Sequence, residues 1–98
     1  MLNSKQRAFL RKMASGLDAT VIIGRSEITD NVLSEINVAL DARELVKISI
    51  LKSADVSARG EIDELASKLN AEPVSAIGNK IVLYRYSKKK GVKHIEFN

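Results

Sequence analysis

Ninety-eight residues, 45% of them hydrophobic and 29% charged, fit one globular domain and hold too many apolar side chains for a disordered chain. The absence of cysteine excludes disulfides, thiolate catalysis and cysteine-based zinc sites. The net charge of +4 is modest but unevenly placed: residues 1–16 carry four basic side chains and no acid, residues 84–98 carry five against one acid, and the stretch between is net acidic.

The first helix is expected over about 4–14, capped by Asn3 or Ser4 and stopped near Gly16. At about 100° per residue, Leu2, Gln6, Phe9, Leu10, Met13 and Leu17 share a side that reads as core. Lys5, Arg7, Arg11 and Lys12 flank or oppose it. Residues 19–23 read as a short buried strand, rich in β-branched side chains. Gly24-Arg25-Ser26-Glu27 then turns the chain toward a helix over 30–42, where Ile28 and Leu33 have the spacing of a hydrophobic staple around a Thr29 cap. A second strand over 45–51 alternates Val46, Ile48 and Ile50 with Lys47 and Ser49. The third helix, 58–69, buries Ile62, Leu65, Ala66 and Leu69 and exposes Glu61, Asp63, Glu64 and Lys68. Residues 74–77 and 80–86 are rich in β-formers, and Gly78-Asn79 joins them as a hairpin. From Ser87 the chain reads as a mobile basic tail, with the alternation of Ile95 and Phe97 hinting at an edge pairing.

The order αβαβαββ predicts an α/β domain with a four-stranded mixed sheet, parallel where helices cross over and antiparallel at the hairpin. The strand order is left open. No stretch approaches about 18 apolar residues, and the basic N-terminus lacks an apolar signal segment, so the chain reads as soluble and cytoplasmic with no membrane partner.

Catalytic equipment is not expected. His94, the only histidine, falls in the tail, no nucleophile has a base partner, and no metal-ligand spacing occurs. Gly24-Arg25-Ser26 is not a phosphate-binding Walker loop, because the second glycine and the Lys-Ser/Thr ending are missing. The junction nonetheless has anion-binding features. A glycine permits a tight turn and close approach to the main chain, the helix start offers unpaired N–H groups, and Arg25 is suited to forked contact with phosphate. The plain alternative is a mere connection. Clustered Lys and Arg at both ends, which folding can bring together, form the footprint of a nucleic-acid binder or else a solubilising charge. Tyr84 and Tyr86 share one strand face, as core packing or as a base-stacking surface, with Arg85 on the other.

Several separate blocks, in the same order, resemble the YhbY-type CRM domain family: Lys5-Gln6-Arg7 with Leu10-Arg11, Val21-Ile22-Ile23-Gly24, Ile28-Thr29, Glu44-Leu45-Val46-Lys47-Ile48, and the run from Ile77 to Arg85. The resemblance covers about residues 2–87. It implies a compact fold similar to the C-terminal domain of translation initiation factor three. It also implies RNA binding, on precursors of the large ribosomal subunit for the stand-alone bacterial members. The family loop is usually Gly-x-x-Gly, as in KH domains. Gly24, Arg25 and Ser26 match its first three positions, whereas Glu27 stands at the second glycine, where it would turn away, pair with Arg25 or cap the helix.

The sequence therefore leads to a CRM-type domain over 1–87 and a basic tail over 88–98. The expected function is non-catalytic binding of ribosomal RNA by a monomer, with no cofactor, metal or small-molecule substrate. Gly24, Arg25 and Ser26 would hold phosphate, with Lys5, Arg7, Arg11, Lys12, Arg85, Lys88 and Lys89 extending the positive surface. The alternative is a protein-interaction module for a ribosomal protein or assembly factor, with incidental basic ends.

Overall fold

Three helices and four strands follow one another as α1 (Ser4–Ser15), β1 (Val21–Ile23), α2 (Asp30–Arg43), β2 (Leu45–Ile50), α3 (Ala58–Leu69), β3 (Glu72–Ile77) and β4 (Lys80–Tyr84). The computed structural model describes residues 2–24, 28–51 and 57–97. The expected turn residues Arg25, Ser26 and Glu27 lie outside them.

Each helix begins where a side chain satisfies its first backbone donors. Asn3, not Ser4, caps α1: its Oδ1 accepts the Gln6 N–H at 2.8 Å, and Gln6 Oε1 accepts the Asn3 N–H at 3.0 Å, a reciprocal capping box. Thr29 and Ser57 cap α2 and α3 by accepting from Val32 and Gly60.

The sheet order is β1-β2-β4-β3, with β1 parallel to β2 and β4 antiparallel to both of its neighbours. The α3 crossover carries the chain past β2 to the far edge, and the hairpin returns β4 into the gap. Gly78, at φ 60°, takes the first central position of that hairpin, where a β-carbon would be strained. β3 starts two residues before the expected strand and includes Pro73. An edge strand tolerates a residue that cannot donate, and the register shifts between Pro73 and Ser75.

Alternation divides the side chains between two cores. Ile23, Val46, Ile48, Ile81 and Leu83 face α2 and α3, meeting Ile36, Leu40 and Leu65. Each such fully buried aliphatic side chain contributes roughly 1.5–3 kcal/mol. On the other face Leu10 and Ala14 of α1, one turn apart, pack on Leu45, Val74, Val82 and Tyr84. The apolar side read for α1 is therefore only partly buried. Met13 and Leu17 remain exposed, because contact runs through the narrower Leu10–Ala14 line.

The described part of the expected tail, 88–97, is docked on the domain. Ile95 and Phe97 join the α1 core, and the Phe97 ring lies 5.8 Å from Phe9 and 5.7 Å, edge-on, from Tyr84. The anchor is Glu44, wholly buried, whose carboxylate accepts the Ser87 N–H at 2.7 Å and the Ile95 N–H at 2.8 Å. Two aromatic or aliphatic side chains and one buried acceptor suffice to fix a segment whose lysines alone would leave it in water.

Candidate nucleic-acid interface

Alternation in β2 places Lys47 and Ser49 on the α1 face, and the antiparallel register sets Val82 opposite Lys47 and Lys80 opposite Ser49. The next strand adds Ser75 beside Val82 and Ile77 beside Lys80. α1 leaves this part of the sheet open, and Arg11 and Ser15 form the helical wall of the resulting groove, about 310 Å³ in volume. Arg11, Lys47 and Lys80 thus reach one concavity from a helix and two strands.

Two of the three ammonium and guanidinium groups are held by the fold. Lys47 Nζ donates to the carbonyl oxygens of Ala14 and Leu17, both at 3.2 Å, where the negative end of the α1 dipole favours a cation. Lys80 Nζ donates to Ser49 Oγ at 2.8 Å. Ile22 and Ile77, 58% and 70% exposed, lie on the same uncovered face.

Of the site residues expected from the sequence, Lys5, Arg11 and Lys12 are exposed on α1, and Arg7 is half-buried with its Nε donating to the Pro73 carbonyl at 3.3 Å. Gly24 follows β1 at the end of the sheet where β2 finishes and Lys80 begins β4. Its backbone is outside the left-handed region, and a β-carbon there would sit in ordinary contact with Leu51 Cδ1 at 4.0 Å. The fold itself does not demand glycine at this position. Arg25 and Ser26 lie outside the described residues.

The C-terminal cations are not brought to that end. β4 runs the other way, so Arg85, Lys88 and Lys89 leave the sheet at the opposite pole from Gly24. Lys88 and Lys89 are exposed. Arg85 is 17% exposed and spends its fork inside the protein. Nη1 donates to Asn37 Oδ1 and the Leu69 carbonyl, and Nη2 donates to the Asn37 carbonyl and, at 2.8 Å, to Asp41 Oδ1. It ties the C-terminal ends of α2 and α3 to β4. Arg85→Ala is accordingly expected to lower stability by about 2–3 kcal/mol, since it strips a charged hydrogen-bond network. Binding of a blunt-ended RNA duplex by the folded fraction should stay at the wild-type value; urea denaturation and a titration with that duplex check the two halves.

His94, expected to be an ordinary surface residue, bridges two groups. Its Nδ1 is 2.7 Å from Glu44 Oε2, and its ring stacks on Tyr86 at 4.3 Å between centroids and 14° between planes. Burial pushes the Glu44 carboxyl up, but the Ser87 N–H, the His94 imidazole and the Ile95 N–H outweigh it and hold the group below its usual value. Tyr84 is pushed up by burial and by the nearby Glu44 and Tyr86 charges. Lys47 and Lys80 were also missed from the sequence. The available signal was the pair of polar residues, Lys47 and Ser49, interrupting an otherwise apolar strand. Among the described residues no helix is long and apolar enough to cross a membrane, and no group of three or more His, Asp or Glu is placed to hold a metal ion.

Comparison with known proteins matches residues 2–85 to the profile of the CRS1 / YhbY (CRM) domain. A Bacillus subtilis protein named "Probable RNA-binding protein YqeI" is 38% identical over 89 residues, covering 91% of this chain and 93% of the relative. A Haemophilus influenzae protein named "RNA-binding protein" is 33% identical over 88 residues, covering 90% and 89%. Among solved structures, that of the hypothetical protein SAV1595 from Staphylococcus aureus superimposes with a TM-score of 0.74 at 35% identity, each chain covered completely.

Proposed function

The chain belongs to the CRS1 / YhbY (CRM) domain family, and on that footing we propose that it binds RNA without catalysing a reaction on it, holding the phosphate backbone along the open flank of α1. The observation that carries the reading is the groove shared by Arg11, Lys47 and Lys80. Three cations from three elements repel one another, and an anionic occupant relieves that repulsion. Lys5, Arg7 and Lys12 extend the positive charge along the helix, and Ile22 and Ile77 offer apolar contact to sugars and bases. Phosphate contacts set register and orientation but do not read sequence, so recognition would follow RNA shape.

Gly24, Arg25 and Ser26 would approach the same backbone from the end of β1. That the fold does not require a glycine at 24 supports a role in close approach of a ligand. The RNA is ribosomal, in a precursor of the large subunit, bound by a monomer; this follows the family resemblance. Two substitutions test the loop. Gly24→Ala is expected to change stability by less than about 0.5 kcal/mol yet weaken RNA binding, because a methyl group then stands between the main chain and phosphate. Arg25→Ala should reduce the salt dependence of binding by up to about one unit in the log–log slope. An unchanged affinity in both variants removes the loop from the interface.

The decisive experiment on the whole reading is crosslinking to RNA in cells with sequencing of the attached fragments. Large-subunit ribosomal RNA is the expected catch. A protein partner that persists in pull-downs after nuclease treatment, with no crosslinked RNA, would replace this reading by a protein-interaction role.

A further inference from the structure

A concavity of about 680 Å³ lies at the pole opposite Gly24, with Tyr86 and Lys88 at its rim and Asn37, Asp41, Asn70 and Arg85 among its walls. We propose that this concavity takes an unpaired nucleotide of the bound RNA, its base stacked on Tyr86; the inference rests on the RNA-binding function proposed above.

Tyr86 is 57% exposed although one face of its ring is covered by His94. The pair is a rigid aromatic platform, because His94 is fixed from behind by the buried Glu44 carboxylate. That same carboxylate pins the backbone at Ser87 and at Ile95, so the segment carrying Lys88, Lys89, Lys90 and Lys93 leaves and returns beside the platform. A flat aromatic surface next to clustered cations is the chemistry by which proteins hold single-stranded nucleic acid.

The interior of the concavity divides the ligand further. Asp41 is paired with Arg85, and the rest of the wall mixes the amides of Asn37 and Asn70 with the apolar side chains of Leu2 and Phe97, a lining that suits the flat face and amino groups of a base better than a phosphate. Phosphate is left to Lys88 and its neighbours at the rim. Two RNA contacts would then sit at opposite ends of the sheet, phosphate in the α1 groove and an extruded base at Tyr86.

The test uses the full chain with two probes, a short oligoadenylate and a blunt-ended RNA duplex. Tyr86→Ala is expected to lower affinity for oligoadenylate about tenfold, the scale of one lost base–aromatic stack, while Tyr86→Phe retains it. Both variants should bind the blunt duplex as the wild type does. In the unaltered protein, nuclear magnetic resonance signals of the Tyr86 ring and the Asn70 side-chain amide should shift on adding oligoadenylate, which keeps the idea testable even if Tyr86→Ala fails to fold. Wild-type affinity in Tyr86→Ala, or no shift at Tyr86, would overturn the platform. If Arg11→Glu with Lys80→Glu abolishes binding of both probes in that event, the groove stands without it. Failure of the wild type to bind either probe would bring down both readings. Adenosine monophosphate binding as tightly as the oligomer would overturn the proposal in favour of a free-nucleotide site.

Discussion

Exchanging Arg11 and Lys80 together for glutamate is expected to reduce RNA affinity by at least about a hundredfold at physiological salt, because each exchange removes a phosphate contact and adds a repulsion. The neutral pair Arg11→Ala with Lys80→Ala should flatten the salt dependence by about 1.4–1.8 units, the release of counterions from two phosphates. Neither position is structural in the sense that Arg85 is. Arg11 lies exposed on α1, and Lys80 gives up one hydrogen bond to Ser49, whose hydroxyl can turn elsewhere. Lys47 is deliberately left in place, since its ammonium closes the carbonyl end of α1 and its loss would confuse unfolding with loss of binding. Filter binding across a salt series, with circular dichroism as the folding control, decides the matter. Unaltered affinity in the charge-reversed pair would remove the groove from the interface.

The second large effect is at Glu44. Glu44→Ala deletes an acceptor shared by the Ser87 N–H, the Ile95 N–H and His94, leaving buried donors unmet, at a cost of about 3–5 kcal/mol. The backbone strain there is common to glutamate and alanine, so the loss reports the carboxylate alone. At φ 68° a residue with a β-carbon is strained, and it is kept so by its N–H donating to the Leu40 carbonyl and its carbonyl accepting from Arg85. The sign of the acid dependence follows from the lowered carboxyl. Because the folded protein binds this proton less readily than the unfolded chain, the stabilisation is complete above the ordinary carboxylate value of 4.5 and is lost as pH falls through the lower folded value. Urea midpoints measured from neutral pH downward should show this decline in the wild type and a shallower one in Glu44→Gln. Parallel curves for the two proteins would contradict the assignment.

What the sequence disclosed, and what it withheld, divides along the range of the contacts. α2, α3 and the hairpin are local devices. Thr29 and Ser57 cap within three residues, Leu33, Ile36 and Leu40 repeat with the helix, and Gly78 is needed within its own turn. They were legible for that reason. The first two residues of β3 were not legible, because Pro73 is acceptable in a strand only at a sheet edge, and the edge position is a property of the whole sheet. The candidate groove was half legible: Arg11 follows from the basic helix, but Lys47 and Lys80 join it only through strand register. Arg85 read as surface because its acceptors, Asn37, Asp41 and Leu69, come from two helices earlier in the chain. The docking of 88–97 was hidden for the same reason, its anchor lying some forty to fifty residues upstream at Glu44.

Because Ser87 and Ile95 are clamped by a single side chain, the loop between them is a closed bight whose length is not dictated by either anchor. Lengthening it between Lys90 and Gly91 would cost little, since closure entropy grows only slowly with loop size. It is the natural place to graft a peptide tag or to lodge a longer basic arm. Cutting the chain short at Ser87, by contrast, would strand a carboxylate in the protein interior with two of its three donors gone.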